Sequence, residues 1–159
     1  MKNLGEIFIR AAEPGDASGI LRCLADAFER YQMKYTPEAF ADTVLDPASL
    51  SHRMQRMHVL VAVSAHEIAG TVAGSVANGE GYLRGMAVLP EWRGSGLASA
   101  LLTSIETWLK RRACRRVTLD TTLPLAAAIK FYEKNGYGKS GRVSDFFGMP
   151  LVEYVKELI

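Results

Sequence analysis

Val88-Leu89-Pro90-Glu91-Trp92-Arg93-Gly94-Ser95-Gly96-Leu97-Ala98 separates two stretches of different hydrophobic period. Before it, Tyr82 to Leu89 reads as a strand. After Gly96, the residues Ala98, Leu101, Leu102, Ile105, Trp108 and Leu109 recur at helical spacing, and Lys110-Arg111-Arg112 places cations at the helix's negative end. A glycine-rich turn running from a strand into an amphipathic helix is a place for an anion. The first helical N–H groups lack partners, and the helix dipole puts roughly half a positive charge there. Glycines at 94 and 96 remove side chains that would hold a phosphate off the backbone, Ala98 keeps the first turn slim, and Arg93 adds a permanent cation. Three readings compete at this level. One is a turn that merely begins a helix. Another is a dinucleotide fingerprint, weakened because Ser99 stands where the third glycine belongs. The third, a Walker A loop, is excluded because no Gly-Lys-Ser/Thr follows.

Outward from this stretch the elements follow with short breaks. Ile7 to Arg10 reads as a strand, and Asp16 is placed to cap a helix reaching about Tyr31, with Ile20, Leu21, Leu24, Ala27 and Phe28 on one face. Shorter helical stretches are expected at Glu38–Leu45 and Ala48–Arg56. Val59 to Val63, Ile68 to Ala77 and Tyr82 to Leu89 form an antiparallel meander, turning at Ala65-His66-Glu67 and Asn78-Gly79-Glu80-Gly81. Gly70, Ala73 and Gly74 are unusually small for the middle strand. A fifth strand alternates Val117, Leu119 and Thr121 with Arg116, Thr118 and Asp120. Thr122 and Pro124 look like the start of a helix with Leu125, Ala128, Ile129 and Tyr132 on one face, stopped by Asn135-Gly136. Tyr137 to Arg142 and Leu151 to Lys156 supply two last strands. The strand–helix–strand step over 82–121 implies a parallel pair joined by a right-handed crossover. The expected fold is therefore α/β with a mixed sheet of about seven strands, mostly antiparallel, a parallel fourth/fifth pair and about four helices.

The chain's 159 residues suit one domain over 1–159, and a 48 % hydrophobic share supplies one sizeable core. A formal net charge of +2 is too small to make nucleic acid or an anionic membrane the main partner. Cys23 and Cys114 are too sparse for a disulfide framework, and no His/Cys cluster suggests a metal. A reduced, cytoplasmic location is expected. No signal-like N-terminus and no apolar run of roughly 18 residues occurs. Assembly as a homodimer is compatible with this composition.

At this point the motifs carry a family resemblance. Arg93-x-x-Gly96-x-Ala98 resembles the (Gln/Arg)-x-x-Gly-x-(Gly/Ala) motif of GNAT acetyltransferases, and Met86-Ala87-Val88-x-Pro90 resembles the strand ahead of it. Downstream, Ala128-Ile129-Lys130-Phe131-Tyr132-Glu133-Lys134-Asn135-Gly136-Tyr137 resembles the family's Ala-x-x-Phe-Tyr-x-x-x-Gly-(Phe/Tyr) segment. The similarity covers about residues 58 to 137. Leu125 departs from it, standing where many members carry Asn.

The resemblance implies a GNAT-like acyl-CoA N-acyltransferase fold and direct transfer of an acetyl group from acetyl-CoA to an amine acceptor, with no metal. Cofactor contacts would come from Met86, Ala87 and Val88 on a bulged fourth strand, with Gly85 at the bulge, and from Arg93, Gly94, Ser95, Gly96, Leu97 and Ala98 around the pyrophosphate. Tyr132 resembles the general acid that protonates the departing sulfur. The base stays open: Tyr82 stands where many relatives have Glu, Glu80 lies just before it, and a water chain, or no dedicated base at all, is the alternative. The acceptor is expected between the first helices, near Tyr31, Met33 and Tyr35, and the loop at Phe146 and Phe147. A non-catalytic acyl-CoA sensor and a nucleotide-binding module are the rival functions. The first would keep the loop without needing an acid, and the second is disfavoured by the missing third glycine and lysine.

Overall fold

The two hydrophobic periods resolve into strands and helices, with three helices and then three strands in succession before the two alternate. A computed structural model describes residues 2–158. The order is β1 (Ile7–Ala11), α1 (Ala17–Phe28), α2 (Pro37–Thr43), α3 (Pro47–Arg56), β2 (His58–Ser64), β3 (Glu67–Ala77), β4 (Glu80–Val88), α4 (Leu97–Arg111), β5 (Arg116–Thr121), α5 (Ala126–Lys134), β6 (Gly138–Phe146) and β7 (Met149–Glu157). The strands form one sheet, β1-β2-β3-β4-β5-β7-β6. The β4·β5 pair is parallel and every other pair is antiparallel.

Helix α4 lies on β2, β3 and β4. Leu97, Leu101, Leu102, Ile105 and Leu109 are buried on its inner face. Each contributes about 1.5–3 kcal/mol in transfer terms. The small residues of β3 and β4 now have a reason. A Cβ at Gly70 would fall 2.8 Å from Leu101 Cδ1, at Gly74 2.9 Å from Ile105 Cγ1, and at Gly81 2.8 Å from Leu109 Cδ1. The three glycines form a smooth track that lets α4 settle close to the sheet. On β4 the alternate residues Tyr82 and Arg84 face the other way, where Arg84 pairs with Asp42 of α2.

Several local expectations change. The helical pattern that ran to Tyr31 stops at Phe28, and Glu29–Lys34 winds more tightly as a 3₁₀ segment. Asp16 precedes α1 but does not cap it. A 3₁₀ turn leads straight into the helix, and the Asp16 carboxylate accepts from the Glu13 N–H (2.7 Å) and the Arg10 guanidinium (2.7 and 3.0 Å). Helix α5 starts at Ala126, not at Thr122, because a turn closed by the Leu125 N–H on the Thr122 carbonyl (3.1 Å) comes first; the Thr122 hydroxyl lies 3.2 Å from the Tyr35 hydroxyl. Strand β6 runs on to Phe146, and Phe147-Gly148, both at positive φ, make the turn into β7. Tyr137 precedes β6 and is buried. Its hydroxyl donates to Glu106 at 2.6 Å, and Lys156 donates to the same carboxylate at 3.0 and 3.2 Å.

Candidate functional site

The site is built where β4 and β5 part. They pair only from Glu80–Arg116 to Leu83–Leu119, and beyond that β4 continues alone toward the glycine-rich turn. Between Ala73–Arg84 and Thr71–Ala87, β4 holds one residue more than β3, so it bulges at Gly85 and Met86. Gly85 takes φ +69°, a conformation glycine adopts without a Cβ penalty. The Leu89 N–H donates to Ala69 on β3. Because backbone groups alternate sides along a strand, Ala87 also turns to β3, while Met86 and Val88 turn their N–H and C=O toward the gap. An extended ligand laid there would find a strand edge to pair with.

The turn closes the end of that gap. Pro90–Trp92 makes a single 3₁₀ turn, Gly94 takes φ +76° and Gly96 φ +90°, and α4 begins at Leu97. A Cβ at Gly94 would meet nothing within 4 Å, so the backbone there is open to a ligand. Ser95 Oγ binds back to the Trp92 carbonyl at 2.5 Å and accepts from the Leu97 N–H at 3.3 Å. The Ala98 and Ser99 N–H groups have no carbonyl a turn behind them in the helix. The Arg93 guanidinium donates to the Ala27 carbonyl at 3.1 Å, tying the turn to the end of α1. Burial and the nearby Arg30 lower its pKa.

Gap and turn open into one cavity of about 760 Å³. Tyr132 lines it from α5 and is 8 % exposed, packed edge-on against Phe131 and Tyr137. Its hydroxyl makes no hydrogen bond among the described residues, and burial raises its pKa, so the phenol keeps its proton at neutral pH. Leu125 lines the same cavity with an apolar side chain. Tyr31, Tyr35, Phe146 and Phe147 come together on the side where the acceptor was expected, and the Thr36 hydroxyl donates to the Phe147 carbonyl at 2.8 Å. Met33 instead points to solvent at 96 % exposure. Cys23 and Cys114 are both buried outside the cavity, and burial pushes the Cys23 thiol up to about 12.

Two further residues complete the polar floor, and the sequence did not single them out. Asp120 on β5 accepts a hydrogen bond from the Tyr82 hydroxyl on β4 at 3.1 Å. Desolvation raises the Asp120 pKa against the pull of that bond, while burial and the Asp120 charge push Tyr82 up to about 12. The alternation of Arg116, Thr118 and Asp120 against Val117, Leu119 and Thr121 was the available signal. It puts Asp120 on one face of β5 with Arg116 and Thr118, and the strand register then sets it on the Tyr82 face just past the last paired residues. Arg53 of α3 also lines the cavity, and its place over Gly85 could not be read from a short polar helix.

Glu80 lies elsewhere. It stands at the closed end of the β4·β5 pair, exposed, held by Arg116 at 2.5–2.6 Å, and outside the cavity lining. Strand rise puts it roughly 10 Å from the point of parting, so a role as base does not fit its position. Among the described residues no group of three His, Cys, Asp or Glu side chains is placed to hold a metal, and no helix is long and apolar enough to cross a membrane.

A parallel strand pair closed at one end and open at the other stands beside a bare helix start, leaving a strand edge and a helix N-terminus open to the same cavity. The chain belongs to the Acetyltransferase (GNAT) family, whose sequence profile matches residues 20–137. Aminoglycoside N(6')-acetyltransferase type 1 of Stenotrophomonas maltophilia is 32 % identical to it over 80 residues, 50 % of this chain and 52 % of that protein. The chain thus matches about half the length of this curated relative. Among solved structures, the ribosomal-protein-S18-alanine N-acetyltransferase of Escherichia coli superposes with TM-score 0.78 at 17 % identity, covering 96 % of this chain and 94 % of that one. The PaiA N-acetyltransferase of Thermoplasma acidophilum, solved in complex with coenzyme A, gives TM-score 0.79 at 17 % identity over 95 % and 98 %. At these identities the likeness is one of fold.

Proposed function

We propose that this protein transfers the acetyl group of acetyl-CoA to an amine in the cavity between β4, β5 and α5. The observation that carries the reading is the parting of β4 from β5 beside the glycine-rich start of α4, with a protonated tyrosine lining the same space. Acetyl-CoA, the family's cosubstrate, supplies the acetyl group activated as a thioester. The residues present suit it. Met86 and Val88 offer backbone groups to an extended arm, and Gly94, Gly96, Ala98 and Ser99 offer open space and N–H groups to a pyrophosphate, with Arg93 adding charge.

The remaining chemistry belongs to proton carriers. An amine acts as nucleophile only when neutral, so its proton has to leave before or during attack. Asp120 is placed to take its proton, directly or through one water, with Tyr82 orienting the carboxylate. The nitrogen–carbon bond forms as the carbon–sulfur bond breaks. Tyr132 gives its proton to the departing sulfur and is reprotonated from solvent.

The test is release of free thiol from acetyl-CoA in the presence of an amine panel, with mass spectrometry of each acceptor for one added acetyl group. Turnover with a modified amine supports the reading. Tight binding of acetyl-CoA with no turnover on any amine would make the protein a sensor instead.

A further inference from the structure

Arg53 is the charged group in the cavity that the fold leaves without a partner. Four arginines line the cavity, Arg30, Arg53, Arg84 and Arg93, against two carboxylates, Asp42 and Asp120. Arg84 is paired with Asp42, Arg93 is tied to the Ala27 carbonyl, and Arg30 stacks on the Tyr31 ring with its guanidinium 4.7 Å from the centroid. Asp120 is occupied by Tyr82. Arg53 makes no ion pair or side-chain hydrogen bond among the described residues.

Its position is also built. A Cβ at residue 85 would fall 2.6 Å from Arg53 Nη1, so the glycine at the bulge is what lets the guanidinium reach the point where the strands part. Arg53 also lines a second cavity of about 380 Å³ behind the first, with His52, Arg56 and Ser49 of the same helix. Burial and the like charge of Arg84 pull Arg53 down to about 10, against the attraction of Asp42, which leaves it charged at neutral pH. A partly desolvated cation with no counter-ion in contact, Asp42 being taken by Arg84, destabilises the free protein and is relieved by a bound anion.

We propose that the acceptor is an amine carrying a carboxylate in the same molecule, and that Arg53 receives that carboxylate while the amine lies toward Asp120. This rests on the acetyltransferase reading above and names its substrate class. A guanidinium meets a carboxylate through paired N–H donors, which gives orientation as well as attraction. The same charge balance opposes a polycationic acceptor, since Asp120 is the lone carboxylate here not already matched to an arginine.

Two measurements separate this proposal from the reading beneath it. The first is binding without chemistry. N-acetyl derivatives of the standard amino acids and the corresponding N-acetyl amino acid amides are titrated calorimetrically into CoA-loaded protein. At least one acid should bind roughly ten- to a hundredfold tighter than its amide, the worth of a hydrogen bond to a charged group. Arg53→Met should abolish that difference and Arg53→Lys restore part of it, while CoA affinity stays at the parental value. The Met variant should also melt at a higher temperature than the parent, the reverse of losing a structural ion pair. The second is turnover on amino acids, their amides and the matching decarboxylated amines, where Arg53→Met should raise KM for the acids and leave the amines unchanged. Equal binding of acids and amides, binding by none of the acids, or a preference for acids that survives Arg53→Met overturns the proposal. So does an equal loss of kcat on every acceptor, which would place Arg53 at the acetyl oxygen.

Discussion

Ser99→Glu separates helix stability from ligand binding at the start of α4. Ser99 is the third residue of the helix, exposed, and lines the cavity. A carboxylate in a helix's first turn interacts favourably with the dipole, by about 0.3–1 kcal/mol. For a chain of this length that raises Tm by about 1–3 °C. The same carboxylate would stand roughly 6 Å from a pyrophosphate cradled by the turn. At effective dielectric constants of about 20–80 the repulsion is about 1–3 kcal/mol per phosphate charge. The dissociation constant for acetyl-CoA should therefore rise roughly five- to a hundredfold in low salt and recover partly at about 0.15 M, where charges are screened over about 8 Å. Isothermal titration with Ser99→Gln as the neutral control isolates the charge. A Glu variant that is more stable and binds acetyl-CoA as well as the parent in low salt would refute the placement of the phosphates. Ser99 is the better probe because its backbone is helical. Gly96→Val would strain a residue at φ +90° whatever the ligand does.

Tyr132→Phe removes only the hydroxyl of a buried ring, so turnover measured in single-turnover experiments should fall roughly a hundred- to ten-thousand-fold with little change in acetyl-CoA affinity. Parental turnover would make Tyr132 a packing residue. Asp120→Asn should slow turnover and remove the acid limb of the kcat/KM profile, because the parent loses its base as pH falls through the raised Asp120 pKa. The same raised pKa makes the charged form costly in the fold. The Asn variant should therefore be more stable than the parent at neutral pH, with the gain gone below the unfolded value of about 3.9. Lys156→Met leaves Glu106, buried on α4, with Tyr137 as its one remaining partner among the described residues. Chemical denaturation should show a loss of about 1–3 kcal/mol with acetyl-CoA affinity unchanged.

The elements that create the site were legible because the hydrophobic period changes at Gly96 and because the resemblance to GNAT acetyltransferases implied a bulge at Gly85, which the residues alone did not distinguish from relief of packing. What escaped the sequence was set by tertiary contacts. Phe28 and Tyr31 continue a helical spacing across a 3₁₀ segment, so periodicity does not show where α1 ends. Strand β6 is an exposed edge with no buried face to impose alternation, and its length follows from pairing with β7. Thr122 has the composition of a helix start, yet its hydroxyl is spent on Tyr35, 87 residues away in sequence. Asp120 and Glu80 differ as candidates only through strand register. One lies just past the last paired residues and the other at the far end, and register is not written in either residue's neighbours.

If acetyl-CoA lies along β4 with its pyrophosphate at the start of α4, amide hydrogen exchange will report it. Saturating acetyl-CoA should slow exchange at Met86 and Val88 and across Gly94–Ser99, with ATP and NAD at equal concentration leaving those amides unchanged. Protection confined to α3 or to the β6–β7 turn, or equal protection by ATP, would place the cofactor elsewhere.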